Sequence, residues 1–213
     1  MARLEVDQLA YARSQTPLFK DLSFNLHARQ LLLLNGINGA GKTTLLKILA
    51  GLIEPDQGQI HFSLSDNSPT RPAGKIAEPM INHQAWLGDR NALKPQWSAL
   101  QNIEFLAQLR PQKPSDPLDA LNYFGLFKQR HQPVKTFSQG MKRRLALASL
   151  LLSSAPLWLL DEPQAALDKQ GIVLFEKMLD QHLAQGGLVV MAAHHTVDIE
   201  AAQIQLLSLD HYQ

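Results

Sequence analysis

The amino-acid sequence predicts an α/β fold with a mostly parallel central sheet, antiparallel strands at the N-terminus and a helical insert. Three observations carry this. Leu31 to Leu34 is a continuous apolar run, as expected of a central strand buried on both faces. That run leads through Gly36-Ile37-Asn38-Gly39-Ala40-Gly41-Lys42-Thr43 into Leu45-Leu46-Lys47-Ile48-Leu49-Ala50, whose apolar residues fall at helical spacing. Two further apolar strands follow much later, one ending in Asp161-Glu162 and one ending at His194.

The chain has 213 residues, enough for one large domain with a sizeable core. We expect a single domain over 1–213, with a helical subdomain at roughly 90–144. Lys plus Arg number 20 and Asp plus Glu 19, a balance that offers no electrostatic footprint for nucleic acid. There are no cysteines, so disulfides, thiolate metal sites and dithiol redox motifs are excluded. The longest apolar run, Leu145 to Leu152, is far shorter than the ~20 residues of a membrane span. The start, Met1-Ala2-Arg3-Leu4-Glu5, lacks the apolar core of a signal peptide. Any membrane contact is therefore expected through a partner.

In order, residues 3–9 read as a short strand with Leu4 and Val6 on one face. Leu22, Phe24 and Leu26 alternate with Ser23, Asn25 and His27, a second half-buried strand. After the central strand and its helix, Gly51 is placed to end the helix. Pro55-Asp56-Gln57-Gly58 reads as a turn and Gln59 to Leu64 as a strand. Residues 65–79 are expected to be a loop, and Trp86-Leu87-Gly88 the end of another strand. Residues 98–109 form an amphipathic helix capped by Ser98. Pro111, Pro114 and Pro117 break the chain before a short helix over 117–127. Thr136-Phe137-Ser138-Gln139-Gly140-Met141-Lys142-Arg143-Arg144 runs into a helix expected over Leu145 to Leu152. A strand at 157–160, a helix reaching about Gln185, a buried strand at 188–193 and a last strand at 204–209 complete the reading.

The spacing G-x-x-x-x-G-K-T between a strand and a helix is a P-loop. Glycines let the backbone bring several N–H groups to phosphate oxygens, and the following helix points its positive end at them. Gly36, Asn38, Gly39, Ala40, Gly41, Lys42, Thr43 and Thr44 are the candidate phosphate contacts. Lys42 is expected to reach the outer phosphates and the Thr43 hydroxyl to bind Mg²⁺. Asp161 holds Mg²⁺ through water, and Glu162 orients and deprotonates the attacking water. His194, at the end of a parallel strand, reads either as a polar strand end or as a γ-phosphate sensor, and the latter is favoured. The cluster Met141-Lys142-Arg143-Arg144 is too short for a nucleic-acid patch. It is read as a solvated helix face or as the phosphate side of a dimer.

Taken together, the P-loop, Phe137-Ser138-Gln139-Gly140, Leu159-Leu160-Asp161-Glu162-Pro163, Gln164-Ala165-Ala166-Leu167-Asp168 and Ala192-Ala193-His194 resemble the ATP-binding cassette ATPases of ABC transporters. The resemblance spans the chain. It implies ATP hydrolysis with Lys42, Glu162 and His194 in catalysis and Mg²⁺ on Thr43 and Asp161. It also implies that Ser138 and Gly140 contact the γ-phosphate held by another cassette, and that Asp168 communicates across that interface. The working unit implied is a head-to-tail homodimer with two ATPs, attached to a membrane permease. A narrower resemblance runs through Leu9 to Arg13, Pro17-Leu18-Phe19, Leu87 to Lys94 and residues 186–194. These stretches are similar to the ATPase subunits of the cytochrome c maturation (haem exporter) system. That family implies the cytoplasmic face of a bacterial inner membrane and a coupling of ATP hydrolysis to haem handling. An exporter of another cargo is the alternative. A soluble cassette acting on DNA or ribosomes would carry two cassettes or long coiled-coil arms.

The sequence departs from the common pattern in three places. Gln139 and Met141 replace the usual signature residues. The position that usually stacks on adenine aligns with Arg13, with Tyr11 two residues earlier. Either can lie over the base, or both belong to a solvent-facing loop. The loop that usually carries a Mg²⁺-binding glutamine reads Asp89-Arg90, and Gln84 comes too early to fill it. Asp89 is then either a replacement oxygen ligand or one half of an exposed ion pair.

Overall fold

The computed structural model describes residues 1–64, 83–108, 116–193, 197–200 and 203–212. The loop expected at 65–79, Pro111, Pro114 and His194 lie outside them. β1 (Arg3–Arg13) and β2 (Thr16–His27) form an antiparallel hairpin, and β4 (Gln57–Ser63) pairs on the other side of β1. β1 runs further than the short strand expected over 3–9. Its alternation breaks down after Val6 because the pairing slips between Val6 and Leu9 and again beside Tyr11.

The second sheet has five strands in the order β5-β6-β7-β3-β8, all parallel: β5 (Gln84–Leu87), β6 (Leu157–Asp161), β7 (Leu188–Ala192), β3 (Gln30–Asn35) and β8 (Gln203–Ser208). Its inner strands are buried on both faces, so their apolar runs do not alternate with polar residues. Successive side chains go to opposite layers. Leu31, Leu33, Trp158, Leu160, Val189 and Met191 join one core, whereas Leu32, Leu34, Leu157, Leu159, Leu188, Val190 and Ala192 join the other.

α1 (Lys42–Leu49) packs in the second core with the antiparallel sheet. It ends as expected at Gly51, which has a φ of 78° and donates to the Ile48 carbonyl at 3.0 Å. The helices between β5 and β6 pack in the first core: α2 (Ala99–Gln108), α3 (Pro117–Tyr123) and α4 (Gln139–Ala148). Ser98 and Gln101 cap α2 reciprocally, with the Ser98 Oγ accepting the Gln101 N–H at 3.1 Å and the Gln101 Oε1 accepting the Ser98 N–H at 2.9 Å. α4 starts six residues before the apolar stretch that suggested it and tightens into a 3₁₀ turn at Ser149–Leu152. α5 (Lys169–Ala184) crosses back to β7.

The registers align the C-terminal edge of the parallel sheet. Leu34 and Asp161 both lie opposite Ala192 of β7. The start of the P-loop and the carboxylate pair therefore emerge side by side at the edge where open α/β sheets bind ligands.

Candidate active site

The loop after β3 is shaped by its own chain. The Asn35 Oδ1 accepts the Gly36 N–H at 2.8 Å. Gly36 has a φ of 140°, and a Cβ there would lie 3.1 Å from both the Ala40 Cβ and the Asp210 Oδ1. Asp210, in the C-terminal 3₁₀ turn, accepts the Ile37 N–H at 3.2 Å. Gly41 caps α1 at a φ of 101°, packed over Leu18 and Phe19, where only glycine is at ease. Glycine offers no side-chain acceptor, and the amides of the first turn have no intrahelical partner. They are available to an anion, and the helix dipole favours one. Lys42 folds back across the loop and donates to the carbonyls of Gly36 at 2.6 Å and Ile37 at 3.2 Å.

The carboxylates enter from β6. Asp161 is 2% exposed and accepts the Thr43 hydroxyl. Burial pushes its carboxyl up from the usual aspartate range, whereas the Thr43 bond and the charges of Lys47 and Arg143 pull it down; Asp89 adds to the rise. Its Oδ2 is buried with no hydrogen-bond partner among the described residues. A buried carboxylate oxygen left in this way, beside a hydroxyl, suits a hard cation. No group of three His, Asp or Glu side chains among the described residues could hold a metal. Mg²⁺ takes one or two protein oxygens and fills its shell with water and phosphate oxygens, a demand that Thr43 and Asp161 can meet. Glu162 follows in a left-handed turn, φ 48°, with its N–H donating to the Ala192 carbonyl at 2.9 Å.

These residues line one cleft of about 280 Å³. The P-loop contributes Asn38, Gly39 and Gly41, α1 contributes Lys42, Thr43, Thr44 and Lys47, and β6 contributes Asp161 and Glu162. Arg13 and Leu18 of the first hairpin close its side. Gly36 and Ala40 shape the loop from beneath, with Ala40 in the core.

The ABC transporter family model matches residues 19–165. The chain belongs to the ABC transporter family. It is 38% identical over 208 residues to the cytochrome c biogenesis ATP-binding export protein CcmA of Vibrio cholerae, covering 97% of this chain and 98% of that one. The protein of the same description from Escherichia coli O157:H7 is 35% identical, with 98% and 97% covered. Among solved structures, a putative ABC transporter ATP-binding protein from Pyrococcus furiosus superposes with a TM-score of 0.80 at 23% identity, covering 99% of this chain and 98% of that one. A dimeric ATP-binding cassette bound to ADP and Pi superposes with a TM-score of 0.71 at 21% identity, covering 90% and 88%. Membership gives this chain the binding and hydrolysis of ATP.

The remaining residues singled out in this ABC chain fall elsewhere. The Tyr11 ring lies 6.4 Å from that of Phe19 and packs on the core, so of the two candidates for adenine it is Arg13 that lines the cleft. Asp89 is exposed beyond β5 and does not line the cleft, although its charge reaches Asp161. Gln84 sits at the opposite end of β5 and donates to the Ala50 carbonyl at 2.8 Å. Ser138 caps α4, its Oγ accepting the Met141 N–H at 3.2 Å. At Gly140 a Cβ would lie 2.8 Å from the Ala166 carbonyl oxygen, so the signature turn is pressed onto the loop that leads to Asp168. Neither Ser138 nor Gly140 lines this chain's own cleft.

The basic cluster is not a solvated face. Arg143 is 3% exposed, and Arg144 pairs with the Asp168 carboxylate that caps α5. Helical spacing holds the signal for Arg143: Ala146 and Leu147, three and four positions on, are both buried. Lys47, which also lines the cleft, is marked by no motif in the sequence. It lies one turn past Thr43 on the same face of α1.

Proposed function

We propose that this chain is the ATP-hydrolysing subunit of an export complex that couples ATP hydrolysis to haem handling in cytochrome c biogenesis. The observation that carries the chemistry is the convergence of Lys42, Thr43, Asp161 and Glu162 on one cleft. The near full-length similarity to the CcmA proteins supports the cargo. In this reading the loop amides and Lys42 bind the β- and γ-phosphates, and Arg13 lies over the adenine by cation–π contact. Thr43 and Asp161 would hold Mg²⁺, which when bound would neutralise charge on the transferring phosphoryl group. Glu162 accepts a proton from water as the water oxygen bonds to the γ-phosphorus and the bond to the ADP oxygen breaks. Asp89 contributes to Mg²⁺ through water, and His194 senses the γ-phosphate.

Ser138 and Gly140 act on the nucleotide of a second copy, so the working unit is a head-to-tail homodimer with ATP at its interface. The homodimer is bound to a membrane permease at the cytoplasmic face of a bacterial inner membrane. Among the described residues no helix is long and apolar enough to cross a membrane, which is in keeping with attachment through that partner.

Glu162→Gln tests the reading. ATP binding should persist while hydrolysis falls by about 10²–10⁴-fold, the usual cost of a lost general base. Cells carrying only this variant should fail to assemble c-type cytochromes and keep their b-type ones. Wild-type turnover in the variant refutes the role of Glu162, and normal c-type cytochromes refute the cargo.

A further inference from the structure

Arg143 reaches from α4 into the space between the ends of β5 and β6. A guanidinium carries five N–H donors in a rigid fork. Here five hydrogen bonds are made. Nε donates to the Pro163 carbonyl at 3.1 Å. One terminal nitrogen donates to the Gly88 carbonyl at 3.0 Å and to the Asn91 Oδ1 at 3.1 Å. The other donates to the carbonyls of Asp161 and Glu162, both at 2.7 Å.

Three of the acceptors are the successive carbonyls of residues 161, 162 and 163. In an extended strand, neighbouring carbonyls point to opposite sides, so they converge on one group only where the chain turns. The turn is at Glu162, whose φ of 48° is a conformation that L-residues disfavour. Such a backbone persists only where its surroundings over-determine it. The Glu162 side chain leaves the backbone from within that turn, so the turn sets the direction in which its carboxylate enters the cleft.

We infer that Arg143 is a positioning residue for ATP hydrolysis. By gathering the carbonyls of Asp161, Glu162 and Pro163 it holds the left-handed turn that aims the Glu162 carboxylate at the attacking water. Its bonds to Gly88 and Asn91 tie that aim to the loop after β5. The assignment rests on Glu162 being the base. Lysine is not equivalent, because an ammonium offers three donors without a planar fork.

The test compares Arg143→Lys, Glu162→Gln and the double variant, measuring ATP affinity, KM, kcat and melting temperature. Arg143→Lys should lower kcat by about 10²-fold, as small misplacements of a catalytic group do. KM and ATP affinity should stay close to wild type. In the double variant the two losses should not multiply, because both act through one carboxylate. Multiplying losses, or a fall in kcat matched by an equal fall in ATP binding, overturn the inference. Should Arg143→Lys fail to fold, Asn91→Ala keeps the guanidinium and removes one acceptor. It should lower kcat by about three- to tenfold at unchanged KM, the scale of one hydrogen bond. An unchanged kcat in Asn91→Ala overturns the link to the loop. Wild-type turnover in Glu162→Gln alone identifies the failure as that of the base assignment instead.

Discussion

Burial and the neighbouring charge of Asp89 raise the Asp161 carboxyl above its ordinary range, against the pull of Thr43, Lys47 and Arg143. A carboxyl raised on folding binds its proton more tightly in the native chain than in the unfolded one. Stability therefore falls as pH rises from 3.8 through the raised value, and it stays lower above. Asparagine keeps an acceptor for Thr43 and removes the charge. Asp161→Asn should melt about 2–4 °C higher than wild type at pH 8 when neither nucleotide nor Mg²⁺ is present. The difference should vanish below pH 4, and hydrolysis should be lost throughout. Melting curves across pH, with a parallel ATPase assay, decide it. The placement of Lys42, Thr43, Asp161 and Glu162 in one cleft was legible in the sequence because each stands beside an apolar strand or at a helix start, at short fixed spacing. Arg143 was not, because adjacent basic residues read as a surface cluster until the helix phase turns one of them inward. Its acceptors are mostly backbone carbonyls, which leave no mark in a sequence.

At the far end of α5, His182 stacks on Trp158 with ring centroids 3.8 Å apart and planes within 9°. A Cβ at Gly187 would come 2.2 Å from the His182 Nε2, so the turn into β7 is tailored to that ring. Burial pushes the imidazole pKa down to about 4, only partly opposed by backbone bonds with Leu188 and Pro156. A base lowered on folding leaves the native chain with fewer protons than the unfolded one. Stability is intact above pH 6.5 and is lost as pH falls from 6.5 towards about 4. His182→Phe keeps a flat ring and should flatten this acid limb, seen as equal urea midpoints at pH 7.5 and pH 4.5. Gly187→Ala should lower stability at both. Elements of this kind differ in how plainly they are written. The inner strands of the parallel sheet stand out as apolar runs because both of their faces are covered. The β1–β2 hairpin does not, because Ser14 and Gln15 make its turn at φ 49° and 70° without glycine or asparagine. The first half of α4 is likewise masked by Gln139, Gly140 and Lys142, which carry no apolar period.

For the molecule as a whole, the cleft takes its lining from residues between Arg13 and Glu162 but none from the signature turn. If Ser138 serves the nucleotide of a second copy, hydrolysis per chain should rise with protein concentration. Ser138→Arg should abolish hydrolysis while each monomer still binds ATP. Mixed with Lys42→Ala, it should recover at most one working site per pair, measured as turnover against mixing ratio. A strictly monomeric preparation turning over at full rate would contradict the shared site. Ser138 and Arg143 stand on one helix, five positions or about 7.5 Å of rise apart. Arg144 joins the middle of the same helix to the cap of α5. The signature is therefore poor material for grafting. Exchanging residues 138–144 for those of another cassette swaps the surface offered to a second copy and also removes the donor that folds this copy's own carboxylate turn. A transplant that preserves activity would have to carry the loop from Gly88 to Asn91 and the turn at 161–163 along with it.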